Sequence, residues 1–189
     1  IGPSVANFSK DLFSNHMYIG SYLSLAALTF LPTIFFLFYK NTSKIELSFK
    51  YSGRSYLELV SQPRFLQAVI SSAFGYAIMT FLMTGTPLSM HVIEGISLNK
   101  TSIVIQIHVA CMFLPSLIAG NLVKKIGHSK MMYVGVGLYC ITVVISLFDQ
   151  SFLNYMLALV FLGFGWNFLF ISGTSLLVLT YKEEEKYRA

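Results

Sequence analysis

Few side chains in these 189 residues can do chemistry, and those that can are set in apolar surroundings. His108 lies six residues past Ser102, roughly 9 Å along a helix that rises about 1.5 Å per residue. A neutral imidazole there hydrogen-bonds either a solute or a neighbouring helix, and one that titrates near neutral pH carries a proton. Gln106 is two residues away and about 200° round the same helix, so the two cannot face one cavity squarely. Trp166 and Asn167 sit at the centre of the run 152–181. The indole can stack on an aromatic or cationic group. The amide would lose its hydrogen bonds against hydrocarbon, so it must face protein or water. Tyr76 and Met79 lie at a comparable depth in the run 65–90. Each of these six residues suits either solute contact or helix packing.

Other candidates point away from bond-breaking chemistry. Met79, Met83 and Met90 are too sparse for a metal pathway. Cys111 and Cys140 lie inside apolar runs, where a free thiol behaves as a small hydrophobe, and they indicate neither a disulfide nor a metal site. His91 and Glu94 suit a solvated loop or an entrance. No glycine-rich phosphate loop, paired metal ligands or nucleophile elbow is present, so the sequence indicates neither an enzyme nor a cofactor.

The elements that must position these residues are membrane spans. Only 11% of residues are charged and 55% are apolar, against about 25% charged in a soluble domain, and the mean hydropathy is +0.67. A helix needs about 20 apolar residues to cross a bilayer. Runs of that order cover 17–39, 65–90, 102–123, 131–148 and 152–181. The expectation is an all-α integral membrane protein of about five spans, preceded by the tail of a sixth helix.

Basic residues sort by connection. Lys40, Lys44, Lys50, Arg54, Arg64, Lys124, Lys125, Lys130, Lys182, Lys186 and Arg188 share one side if every span crosses once. Only Lys10 and Lys100 of the 13 fall opposite. Loops rich in Lys and Arg stay in the cytoplasm. Asn15 and the stretches 93–99 and 149–151 then face outward. The net charge of +5 thus reports topology, and no nucleic-acid partner is implied.

Within the chain, 40–62 reads as a polar linker, and its piece 55–60 as either a short surface helix or a loop. Pro63 suits the first turn of the next helix. Gly75, Gly85 and Pro87 in one run, and Gly163, Gly165 and Gly173 in another, mark candidate bends. Phe74-Gly75-Tyr76 is echoed by Phe164-Gly165-Trp166 in a span of opposite direction, as in transporters built from inverted repeats. Ile1 carries no initiating Met, basic n-region or cleavage motif, so no signal peptide is expected and an earlier natural start is.

The connection Gly120-Asn121-Leu122-Val123-Lys124-Lys125-Ile126-Gly127-His128-Ser129-Lys130 resembles the cytoplasmic loop signature of the major facilitator superfamily (MFS). Gly120, Leu122, Lys125, Gly127 and Lys130 fit it, and the family's acidic position is Lys124 here. Gly2-Pro3 is similar to the end of the family's fifth-helix motif. Residues 79–90, Gln106 with His108, 112–116 and 163–168 also resemble bacterial members with little-known substrates.

The resemblance implies a partial MFS-type helical bundle, running from the end of helix five to helix ten. Residues 1–39 would close the N-terminal six-helix half, 40–62 would be the central cytoplasmic linker, and 63–189 would give four spans of the C-terminal half. It further implies a secondary transporter in a bacterial inner membrane. A small molecule would move by alternating access with proton coupling, and the remainder of the same transporter and the lipid bilayer would be its partners. In the family the seventh and tenth helices help line the pathway, which brings in Tyr76, Met79, Trp166 and Asn167. A non-transporting receptor or scaffold of the same fold is the alternative.

Overall fold

The structure of the chain is a computed structural model that describes residues 2–13, 16, 18–39, 53–186 and 189. Asn15, Lys40, Lys44, Lys50 and Arg188, and positions 40–52 of the expected linker, lie outside the described residues. Every regular element among the described residues is helical, as bilayer-length apolar runs require when backbone groups must pair within their own segment. The chain divides into two units, Ile1–Phe49 and Lys50–Ala189.

In the first unit, α1 (Gly2–Ser9) and α2 (Ile19–Leu37) form an antiparallel hairpin. Ser21 Oγ donates to the Ala6 carbonyl at 2.6 Å, and Gly20 lets the two backbones approach at Ser9. Within its unit α2 is almost bare, with Phe30, Phe35 and Phe36 all exposed. A surface so apolar requires lipid or other helices around it.

The second unit holds α3 (Tyr56–Val60), α4 (Pro63–Leu88), a π-helical turn (Ser89–Ile93), α5 (Leu98–Phe113), α6 (Ser116–Ile126), α7 (His128–Ser146), α8 (Phe152–Val178) and a 3₁₀ turn (Glu183–Glu185). Of the two readings of 55–60, the helix is the one found: Ser55 and Glu58 form a reciprocal capping box at the start of α3, which satisfies two orphan backbone donors. Pro63 opens α4 as its sequence position predicts. Helices α2, α7, α8 and the α4–π segment are each long and apolar enough to cross a membrane, and α5 with α6 makes a fifth span if the bent pair is counted as one.

Side-chain pairings give the helix directions. Gly173 meets Ala68 and Ser72, Gly75 meets Leu169, and Ser89 bonds Tyr155, so α4 and α8 are antiparallel. Gly135 and Tyr139 meet Gly165, and Thr142 bonds the Ala158 carbonyl, so α7 and α8 are antiparallel too. His108 bonds Leu159 and Asn167 bonds Met112, which makes α5 and α8 parallel. These directions are what single alternating crossings produce.

Helix α8 is the hub. Its glycines project to three neighbours: a Cβ on Gly163 would lie 2.9 Å from the His108 carbonyl of α5, one on Gly165 2.6 Å from the Tyr139 ring of α7, and one on Gly173 would strike Ser72 of α4. Small residues that allow close approach are a principal device of helix association in membranes.

One break falls in a run that the sequence did not mark. Helix α8 runs unbroken through Gly163, Gly165 and Gly173, and α4 is continuous through Gly75, Gly85 and Pro87 to Leu88, after which it widens into the π turn. The broken span is the third run, bent by 42° between α5 and α6 at Pro115, whose missing N–H interrupts the helical ladder. The α8 glycines lie at contacts with three helices.

In the full-length protein, Gly165→Ala should drive a methyl group into Tyr139 and the Gly135 carbonyl, lowering stability by about 1–3 kcal/mol. Gly85→Ala, whose Cβ meets nothing within 4 Å, should be neutral or stabilising by up to about 1 kcal/mol. Thermal unfolding in detergent compares them; equal losses would contradict the packing role of Gly165.

Candidate functional site

The candidate residues gather around the middle of α8 but face different neighbours. Trp166 is buried, with its indole stacked on Phe170 one turn along (centroids 4.9 Å apart, planes 11° from parallel). Phe113 of α5 meets Trp166 edge-on at 5.9 Å, and Tyr76 of α4 stands 6.5 Å from both Trp166 and Phe170. Tyr76 and Phe113 are half or more exposed. Four aromatic rings from three helices thus form one wall, with Trp166 Nε1 buried and without a hydrogen-bond partner.

About 100° round α8 from Trp166, Asn167 turns to the broken span. Its Nδ2 donates to the Met112 carbonyl at 2.6 Å and to Ser116 Oγ at 2.7 Å. The residues lie where the ladder is interrupted: Leu114 N–H bonds Ala110, and the series resumes with Leu117 N–H on Leu114 and Ile118 N–H on Pro115. Asn167 braces the break, and its Oδ1 is buried with no partner.

His108 is fully buried with Nδ1 2.7 Å from the Leu159 carbonyl. A carbonyl only accepts, so Nδ1 carries the hydrogen and Nε2 of the neutral ring holds a free lone pair. Nε2 is buried and unpartnered. Gln106 bonds back to Ser102 of its own helix at 3.2 and 3.3 Å, so the two polar residues of α5 do diverge. Met79 is packed in the core.

An open apolar groove of about 550 Å³ between α4 and α7 is lined by Phe74, Ile78, Tyr133 and Val136 among others, and by none of the six candidates. It lacks the convergent polar groups that orient a ligand. Among the described residues, no group of three or more His, Cys, Asp or Glu could hold a metal ion.

The loop motif forms the junction of α6 and α7. Gly127 alone joins them with φ of 86°, a left-handed conformation that favours glycine. Lys125 and Lys130 flank it, exposed.

Three features escaped the sequence reading. Tyr139, whose hydroxyl donates to the Gly75 carbonyl at 2.6 Å, sits between the two echoed glycines, Gly75 and Gly165. Pro115 sets the bend, although only its place in a similar phrase drew notice. Arg54 and Glu185 pair at 2.6 Å, 131 residues apart. Their charges were visible, but pairing at such separation leaves no local signal. The Arg54 guanidinium, followed by the Lys182 and Arg54 backbone N–H groups, holds the Glu185 carboxyl far below the usual carboxylate range, and Glu185 raises Arg54 in turn. Stability from a depressed carboxylate is present above its ordinary pKa and is lost only as pH falls through the depressed value. The pair therefore persists through neutral and mildly acidic pH.

Asn167→Leu in the full-length protein should lower stability by about 0.6–2 kcal/mol, the range for interhelical hydrogen bonds in membranes. Ser116→Ala, which leaves the Met112 bond, should lower it less. Unchanged melting of Asn167→Leu would contradict the brace.

No solved structure matches the chain significantly. The Riboflavin transporter RfnT of Brucella anthropi is 34% identical over 191 residues, covering 100% of this chain and 48% of the relative. The uncharacterized MFS-type transporters YddS and YdeG of Bacillus subtilis are 40% and 38% identical over 104 and 103 residues, each covering 53% of this chain and 23% and 24% of the relative. The chain thus spans at most about half the length of these relatives. The family model described as Major Facilitator Superfamily matches residues 1–189. With helices as the regular elements among the described residues and several of them apolar and of bilayer length, the chain belongs to the major facilitator superfamily, a family of transporters rather than enzymes.

Proposed function

We propose that the chain is part of a secondary transporter of the bacterial inner membrane that moves a small molecule by alternating access. The family match over its whole length carries this reading. In the proposed register α1 is the end of helix five, α2 is helix six, α4 helix seven, α5 with α6 helix eight, α7 helix nine and α8 helix ten. Residues 40–62 link the two halves. The alternating helix directions support that order, and the basic connections support a cytoplasmic linker.

The pathway is assigned to α4, α5 and α8, which carry Tyr76, Met79, Gln106, His108, Trp166 and Asn167. The aromatic wall favours a flat, ring-containing solute, because aromatic faces bind rings by stacking with little ordering cost. The printed name of the Brucella relative makes riboflavin the first compound to assay. Proton coupling is assigned to His108, since its Nε2 lone pair is the open position of a buried imidazole.

Topology is tested by single-cysteine labelling: positions 53 and 128 should react from the cytoplasmic side and position 97 from outside. Labelling of position 53 from outside alone would reject the register. Function is tested with the full-length protein in proteoliposomes. Riboflavin uptake or efflux should depend on an imposed proton gradient, and His108→Gln, which keeps a donor toward Leu159, should abolish that dependence. Flux of another flat solute would correct the substrate only. Binding without flux of any solute would indicate a receptor, and gradient-driven flux retained by His108→Gln would remove the proton from that residue. The present chain alone should not transport, because access alternates between two repeats.

A further inference from the structure

The stretch entering α4 and the stretch leaving α8 are tied by one charged contact. Glu185 Oε1 accepts the Arg54 backbone N–H and Nε–H, both at 2.9 Å. Its Oε2 accepts Arg54 Nη2–H at 2.6 Å and the Lys182 N–H at 2.9 Å. An ionised carboxylate offers about four lone-pair sites, and each is filled from within the chain. The Glu185 side chain is 1% exposed while that of Arg54 is 36% exposed, so the carboxylate is enclosed and the guanidinium closes over it.

Three neighbouring features fit this contact. Arg54 Nη2 also donates to the Thr180 carbonyl at 3.0 Å, just past the end of α8, where carbonyls lack helical partners and a cation is favoured. Gly53 leaves the room needed, since a Cβ there would lie 2.9 Å from Glu185 Cγ. The capping box of Ser55 and Glu58 then turns the chain into α3 at once, which fixes its path from the contact toward α4. At the same end of the bundle, Gly173 packs on Ala68 and Ser72. The start of α4 and the end of α8 are therefore joined twice, by packing within the span and by charge outside it.

We propose that Arg54 and Glu185 are a positioning pair that locks the entry of α4 to the exit of α8, so that both helix ends and the chain leading into α4 move as one body during transport. A planar fork matched to a carboxylate suits this task, because two parallel bonds fix direction as well as distance. The transport consequence rests on the function proposed above, whereas the lock can be tested without any flux.

The test uses the full-length protein in lipid, spin-labelled at Leu57 and Glu183, both exposed. The native pair should give one narrow label-to-label distance distribution, Glu185→Gln a broad one, and the exchange Arg54→Glu with Glu185→Arg a partial return to narrow. Arg54→Lys, which keeps the charge and loses the fork, should broaden it less than Glu185→Gln, and serves if that variant does not fold. In proteoliposomes the same variants should lose maximal rate by about tenfold with KM nearly unchanged, as for a residue acting outside solute binding, with partial recovery in the exchange. Distributions equally narrow in every variant would overturn the lock, and broadening with undiminished flux would overturn its role in transport. Absence of flux in the native protein would count against the transporter reading alone, since the distances are read independently.

Discussion

Close approach to α8 on three sides is the constraint on which the second unit depends. One helix touches α4, α5 and α7, and a glycine stands at each closest contact. In hydrocarbon, helices gain nothing by hiding apolar surface from one another, so association rests on packing and hydrogen bonds. Both are concentrated here. Where backbones approach, short polar bonds follow: His108 to Leu159, Thr142 to Ala158, Ser71 to Leu169, each ending on a carbonyl of α8. A side chain at any of these glycines would separate the helices and break the bonds beside it.

The same packing explains why the candidate residues divide as they do. Trp166 and Asn167 are neighbours in sequence, yet the helical turn sends one into the aromatic wall between α4 and α5 and the other into the break between α5 and α6. His108 meets α8 at Leu159, two turns before Asn167. Three buried polar atoms, His108 Nε2, Trp166 Nε1 and Asn167 Oδ1, have no partner among the described residues in this region. Buried polar groups are paired in most proteins, so these three mark where a solute, water or another helix of the whole protein has something to satisfy.

Much of the architecture was legible in the sequence because membrane spans announce themselves by length and composition. The five runs, the Pro63 start of α4 and the divergence of Gln106 from His108 all follow from periodicity, proline chemistry and helical geometry. Family resemblance rested on a loop whose Gly127 has the backbone conformation that the position demands. What could not be read was the partner of each residue. A glycine in an apolar run serves equally for bending or contact, and the neighbours of Gly163, Gly165 and Gly173 appear only in the structure. Pro115 breaks its helix whereas Pro32 lies within α2. The pairing of Arg54 with Glu185, and of Tyr139 with Gly75, joins residues with no local pattern between them.

Where the third span breaks, continuity passes from backbone to side chain. In an unbroken helix, torque applied at one end is carried through every rung of the ladder. Here the Met112 carbonyl is held by the amide of another helix, so α5 and α6 are joined by covalent chain and by an external strut. Asn167 of α8 bonds both sides of the break, Met112 of α5 and Ser116 of α6. The break makes this span a jointed member, with its brace on α8.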